Sequence, residues 1–410
     1  MPYAHPYAAF GRQYRAQNNR NIPEYNAVVF EYKFEEGNAT AGSMRNILFD
    51  SKNPASIGAN LVTNEEFEGT YVAGVAPDWT VDAGVTANEE VVGGLEGSSQ
   101  QLTDCNGTAQ GLHSATITVV AGKIYYFEIG VRKNAGAGNL QIQVTNMNGM
   151  ATNTYDISNA DMGAQTTKFS FYLVANNTTS TITITASATT LDFTVVDVFL
   201  REIGGGNHMV MDFTLYDESA RNAVSYDFNG VDHYFYIEDS RQSGLEIGNS
   251  QLSFACIAKL DTAGPGHLFS KWKNTDFSYV WSFEGSRFFR QYVSTNGAAT
   301  QDYRGTSTFA VPMASYIFAG TAYDTPNGLA RMNINGVAET VAYSAGPPLT
   351  IVTLKNNAYR TAIGASFNAT PVPANFVNGR VGKLVCWKGA YLTNSQFIQV
   401  YNILRTTYGI

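Results

Sequence analysis

Residues Ser225–Ile237 read SYDFNGVDHYFYI. Apolar and polar residues alternate through Tyr226 and Phe228. The run meets Asn229-Gly230, passes Asp232, and resumes as Tyr234, Tyr236 and Ile237. Period-two alternation marks a half-buried strand, and Asn-Gly tolerates the positive φ of a two-residue hairpin turn. The stretch predicts a strand, a tight turn and a second strand, with the oxygens of Asn229 and Asp232 at the bend.

The same grammar runs outward along the chain. Asn-Gly recurs at Asn106, Asn148, Asn296, Asn327, Asn335 and Asn378, with short Val/Ile/Thr/Phe/Tyr runs between. Short strands separated by turn signals argue for all-β sandwiches. One helix is expected, where Thr393-Asn394-Ser395-Gln396 forms a capping-box pattern and Phe397, Val400, Tyr401 and Leu404 follow on one helical face. The 410 residues suffice for two or three domains. Charged residues make up only 15%, which suits sandwiches with neutral loops better than charged bundles. A net charge of −8 argues against a nucleic-acid-binding body, and no apolar run approaches membrane-spanning length. Cys105, Cys256 and Cys386 lack the paired spacing of a disulfide framework or zinc site. They read as buried free thiols, in keeping with folding in a reducing cytoplasm.

Three regions follow: an irregular N-terminal arm at 1–58, a β block at 59–203, and a second β block at 207–410 that ends in the helix. Gly204-Gly205-Gly206 reads as the linker. The first block carries Asn60-Leu61, Asn64, Phe67-Glu68 and Trp79, then Ala121-Gly122-Lys123-Ile124-Tyr125-Tyr126-Phe127, then Val196-Asp197-Val198-Phe199-Leu200. It resembles the galactose-binding-like jelly roll of carbohydrate-binding modules. Val196 stands where the family's closing motif has a first Asp. The second block resembles the laminin-G/concanavalin A-like lectin fold, beginning with the 225–237 stretch. Phe254–Lys259, Leu268–Trp272, Tyr323-Asp324, Arg331–Gly336, Ile363-Gly364 and Phe376–Val381 carry the rest of that likeness. The expected architecture is two tandem jelly-roll sandwiches.

The resemblance implies recognition before catalysis. Glucanases of the sandwich fold place E-x-D-x-x-E on one strand, because retaining chemistry needs two carboxylates about 5–5.5 Å apart. This chain has no such triplet. Glu65, Glu66 and Glu68 cluster only at a domain opening, and neither H-E-x-x-H nor G-x-S-x-G occurs. The carbohydrate-binding family often holds a structural Ca²⁺ between its opening F-E and closing D-V. Carried over, that assigns metal ligands to Glu68 and Asp197, with backbone carbonyls completing the shell. The bend residues Asn229 and Asp232 are the corresponding candidates in the second block, with simple turn chemistry as their alternative. For sugar contact by aromatic stacking, Trp281, Tyr292 and Tyr303 are candidates. Trp79 and Trp272 read as packing residues, and Trp281 also lies in an alternating strand that admits a core role.

The arm MPYAHPYAAFGRQYRAQNNR combines Tyr3, Tyr7, Phe10 and Tyr14 with Arg12, Arg15 and Arg20, and has no acid. Solvated tails normally hold few aromatics, whereas Tyr and Arg are common interface anchors. The arm is expected to anchor the protein to another chain. It has no apolar core of signal-peptide length. A lectin-like protein without an export signal suggests a phage virion protein made in the host cytoplasm: a fibre, spike or capsid-decoration subunit. Its expected partners are other virion proteins, further copies of itself and cell-surface glycan. A polysaccharide depolymerase and a bacterial adhesin remain the alternatives.

Overall fold

A computed structural model of the chain describes residues 22–32, 46–53, 55–90, 98–105, 110–147, 154–187, 190–212, 215–222, 224–273, 276–294, 303–345, 353–368 and 372–410. The fold is all-β, and the C-terminal helix is the only α-helix among these residues. Two hydrophobic cores form, one from residues within 62–200 and the other from Leu48 and residues within 209–386. Among the described residues, no sheet contains strands from both sandwiches.

Strands Tyr226–Asn229 and Phe235–Ile237 form as expected, but they do not pair with each other. The first pairs with Asn378–Lys388 in a seven-stranded sheet, and the second with Thr361–Ile363 in an eleven-stranded sheet. The stretch is therefore not a hairpin but an arch that carries the chain between the two layers of one sandwich. Asn229 holds the arch. Its Oδ1 accepts the backbone N–H groups of Val231, Asp232 and His233 at 3.0, 3.1 and 3.2 Å, a local side-chain bond that replaces ladder pairing. Tyr226 and Phe235 then meet across the core at 5.4 Å between ring centroids. A hairpin would have turned one face of Phe235–Ile237 to solvent. Instead Phe235 and Ile237 face the core, and Tyr234 and Tyr236 pack on the other sandwich.

Asn335-Gly336 does make a two-residue hairpin turn, with both φ angles positive and Ile334 opposite Val337. Asn378-Gly379, by contrast, lies inside a strand. Asn106, Asn148 and Asn296 lie outside the described residues. The helix spans Asn394–Tyr408 with the full capping box at Thr393 and Gln396, and Gly409 closes it in the left-handed region. Phe397, Val400 and Leu404 are buried against the outer face of the seven-stranded sheet. All three cysteines are free and buried, and burial pushes each thiol pKa up, that of Cys105 to about 12.

The domain boundaries differ from the sequence expectation. Val28–Tyr32 pairs with Asn378–Lys388, and Ile47–Leu48 pairs with Met209–Val210. Glu31 and Lys383 add a buried ion pair between the first two of these strands. The described residues 22–32 and 46–53 thus complete the second sandwich and are not part of a separate arm. The jelly roll, 56–204, is inserted between them and the rest of that sandwich. The three glycines are not a loose linker either. Gly204 ends the strand Leu191–Gly204 opposite Ser56. At Gly206 a Cβ would lie 2.4 Å from the Asn53 carbonyl oxygen, so glycine permits the two crossings to run in contact.

The crossings are tied by buried polar groups. Asp50 accepts the backbone N–H groups of Glu31, Lys52 and Asn207 and the side-chain amide of Asn53. Asp50 N–H donates to Nδ1 of the wholly buried His208 at 3.1 Å. Asn46 donates to the carbonyls of Tyr172 and Met211, one in each sandwich, at 2.8 Å. Beside this knot, Ile124, Tyr126, Tyr172, Val174 and Ile203 of the jelly roll pack on Val210, Tyr234, Tyr236, Ala362 and Phe367. Burial of each Ile, Val or Phe side chain among them contributes roughly 1.5–3 kcal/mol.

Burial, reinforced by the nearby Arg241 cation, lowers the His208 pKa to about 4. The folded protein therefore stays unprotonated at His208 where the unfolded chain takes up a proton. Stability should fall as pH drops from 6.5 towards 4, by about 3 kcal/mol from this residue. Burial raises the Asp50 pKa, which acts in the opposite direction at the acid end. His208→Gln keeps a hydrogen-bond acceptor but cannot titrate. Chemical denaturation across this range should show a shallower pH slope for the variant. Equal slopes would show that the knot does not sense pH.

Candidate functional site

The opening and closing motifs of the jelly roll meet as structural closure. Asn60 Oδ1 accepts the Leu200 N–H at 2.8 Å. Asn64 sits at φ 51 and donates to the Pro77 carbonyl, and Trp79 Nε1 donates to the Asn64 carbonyl at 3.0 Å. The buried Trp79 and Phe67 rings lie 5.0 Å apart. These residues hold the domain shut.

The metal donors are arranged differently from the expectation. Glu68 is exposed, with its backbone N–H on Asn64 Oδ1. Asp197 lies 2.9 Å from the Lys168 ammonium, which also contacts Glu128 at 3.0 Å. A cationic group thus already stands at Asp197. Asn229 spends its oxygen on three backbone N–H groups and donates its amide to Asp232 at 2.7 Å. That is the turn chemistry held open as its alternative. Among the described residues no group of three or more His, Cys, Asp or Glu side chains could hold a metal ion. Ca²⁺ wants 6–8 oxygens, and neither donor set fits it.

The aromatic candidates separate as cleanly. Trp281 is wholly buried, stacks on Phe254 at 4.4 Å and donates its indole N–H to Thr321 at 2.7 Å. It is a core residue, because the inward phase of strand Asp276–Phe283 carries Tyr279, Trp281 and Phe283 into the sandwich. Tyr303 opens the strand Tyr303–Ala310, and its side chain lies outside the described set. The N-terminal candidates Tyr3, Tyr7, Phe10, Arg12, Tyr14 and Arg15 also lie outside it.

Tyr292 is on the outward phase of Phe288–Val293, half-buried on the outer face of the eleven-stranded sheet. Val280 and Trp272 pack with it. Trp272 meets the Tyr292 and His267 rings edge-on, each at 6.0 Å. The Arg290 guanidinium lies 5.6 Å from the Tyr292 ring centroid. Arg290 pairs with Glu284, donates to the Tyr292 hydroxyl at 2.7 Å and to Thr306 at 3.1 Å. Burial lowers the His267 pKa to about 4, so the ring is neutral at neutral pH. The face therefore offers the half-buried Tyr292 ring beside the Arg290 and Glu284 side chains. The sequence pointed to Tyr292 and read Trp272 as a packing residue, and Trp272 is buried. Arg290 and Glu284 carried no motif.

No family model and no curated protein matches the sequence. Among solved structures, the chain is similar to the CBM40 of the Ruminococcus gnavus IT-sialidase bound to α2,3 sialyllactose. The identity is 12%, with 43% of this chain and 98% of that chain covered and a TM-score of 0.35. It is also similar to the native heptameric SAP-like pentraxin from Limulus polyphemus, at 14% identity, with 43% and 81% covered and a TM-score of 0.31. A third is the CBM22-1 xylan-binding domain of Paenibacillus barcinonensis Xyn10C, at 14% identity, with 43% and 94% covered and a TM-score of 0.25. These neighbours are carbohydrate-binding or lectin-like domains. At such scores none of them decides what this chain binds.

Trp281→Ala should cost about 3–5 kcal/mol of stability by opening a core cavity. Denaturant unfolding of the variant checks this. A loss under 1 kcal/mol would return Trp281 to the surface candidates.

Proposed function

We propose that the protein is a non-enzymatic recognition protein that binds glycan on the outer face carrying Trp272, Tyr292, Arg290 and Glu284. The observation that carries this reading is the half-buried Tyr292 ring set beside the Arg290 and Glu284 side chains. Sugar rings stack their C–H faces on aromatic side chains, and their hydroxyls bond to guanidinium and carboxylate groups. Here Arg290 is held by the Thr306 and Tyr292 hydroxyls, so little ordering remains to be done on binding. Glu284 is the single carboxylate in the group, whereas glycoside hydrolysis uses two. A glycan array and titration calorimetry test the reading. Tyr292→Ala should weaken binding at least about tenfold, or 1.4 kcal/mol, measured at a temperature where circular dichroism shows the variant folded. The reading fails if the wild type binds no glycan, if the variant binds as tightly, or if any bound chain is cleaved.

Within this reading the protein serves as a virion structural subunit, with its first 20 residues as the anchor. Three buried free thiols suit folding in a reducing cytoplasm, and the Tyr/Arg-rich, acid-free N-terminus suits docking on another chain. Removing residues 1–20 should leave the fold intact and abolish incorporation into particles. Removing 1–53 should unfold the second sandwich, because two of its strands go. Circular dichroism and a particle proteome check both. Normal incorporation of the shorter truncation would rule out the anchor, and a folded 54–410 chain would contradict the strand assignment.

A further inference from the structure

Lys168, Gly130 and Asp197 form one row across three neighbouring strands of the jelly roll. Lys168, on Thr167–Val174, is opposite Gly130 on Ile124–Gly136, and Gly130 is opposite Asp197 on Leu191–Gly204. Side chains from two outer strands ordinarily stay apart because the middle strand's side chain stands between them. Here the middle residue has none. A Cβ on Gly130 would fall 2.4 Å from Asp197 Oδ1. A register shift between Val195 and Asp197 bulges the third strand, a device that re-aims a side chain. The result puts Lys168 Nζ 2.9 Å from Asp197 Oδ2.

Glu128, two residues before Gly130, touches the same ammonium at 3.0 Å and accepts the Tyr126 hydroxyl at 2.5 Å. The carboxylates are the more desolvated partners, 8% exposed at Glu128 and 15% at Asp197, against 39% for Lys168. Asp197 Oδ1 is buried and has no hydrogen-bond partner among the described residues. The Lys168 ammonium lies 5.6 Å from the centroid of the Phe199 ring.

From this geometry we infer that Lys168 and Asp197 form an intramolecular isopeptide bond, with Glu128 as the proton carrier. In the resting pair, burial pulls the Lys168 pKa down, but Asp197 and Glu128 outweigh it and hold the ammonium. Reaction begins when the ammonium passes a proton to Glu128. The free amine attacks Asp197 Cγ, forming the C–N bond. Glu128 returns its proton to the departing Oδ2, which takes a second from the attacking nitrogen and leaves as water. The ammonium and carboxylate become one amide and one water, with no oxidant, reductant or other reactant, and Glu128 ends as it began. Holding both groups in contact supplies an effective molarity of about 10⁵–10⁸ M.

Intact mass spectrometry of the denatured full-length chain, after incubation folded at neutral pH, decides the point. The wild type should be lighter than its sequence by one water. Peptide mapping should join the Lys168 and Asp197 peptides and show no tryptic cleavage at Lys168. Lys168→Arg, Asp197→Ala and Glu128→Gln should each keep the full mass. Glu128→Gln leaves the Lys168–Asp197 contact in place and isolates the proton carrier. A wild type at full mass overturns the proposal and leaves an ordinary ion pair. So does a water loss that persists in Lys168→Arg, since it would mark a succinimide elsewhere.

Discussion

Two stretches of chain cross side by side between the sandwiches, one entering the jelly roll near Asn53 and one leaving near Gly206. Every larger feature of the molecule depends on their being fastened. Asp50 collects donors from both crossings and from Glu31 at the edge of the second sandwich, and His208 accepts the Asp50 N–H. A single connection would leave a hinge. Two connections in contact, with buried polar groups satisfied between them, leave the jelly roll little freedom to swing. The aromatic seam of Tyr126, Tyr172, Tyr234 and Tyr236 can then form with the orientation already set.

The seam determines which surfaces remain available. It covers the end of the jelly-roll sheet at Ile124, Val174 and Ile203, and the part of the eleven-stranded sheet at Val210, Tyr236 and Ala362. The same jelly-roll sheet continues into the Lys168–Gly130–Asp197 row, and the eleven-stranded sheet continues into the Trp272 and Tyr292 face. Tyr126 belongs to both settings. Its ring is in the seam and its hydroxyl holds Glu128. The two polar clusters are thus parts of sheets whose other parts are fixed by the seam, which favours preorganised groups over mobile ones.

Local irregularities do the fine positioning. Asn229 gathers three backbone donors and turns a hairpin-like sequence into an arch. The bulge before Asp197 and the bare Cα of Gly130 let two non-adjacent strands touch through their side chains. A regular ladder would have kept them separate, since side chains on alternate strands of one face stand apart by two strand spacings, about 10 Å.

Alternation, turn residues and the capping box were enough to determine an all-β chain with a C-terminal helix, because these signals act over two to four residues. Burial of Cys256 and Cys386 followed from the same local patterns, and the packing role of Trp79 from the likeness to the carbohydrate-binding jelly roll. Strand partners did not, since an apolar residue is satisfied by any apolar neighbour. So Tyr226–Asn229 and Phe235–Ile237 were legible as strands, but not the fact that they join different sheets. Residues 28–32 and 47–48 read as part of an arm because their partners, Val385 and Met209 among them, lie more than 150 residues away. The Tyr292 face was legible only through its aromatic residue, and the Lys168 row not at all. Its members come from three distant segments, and only the folded sheet places a lysine, a glycine and an aspartate in one line.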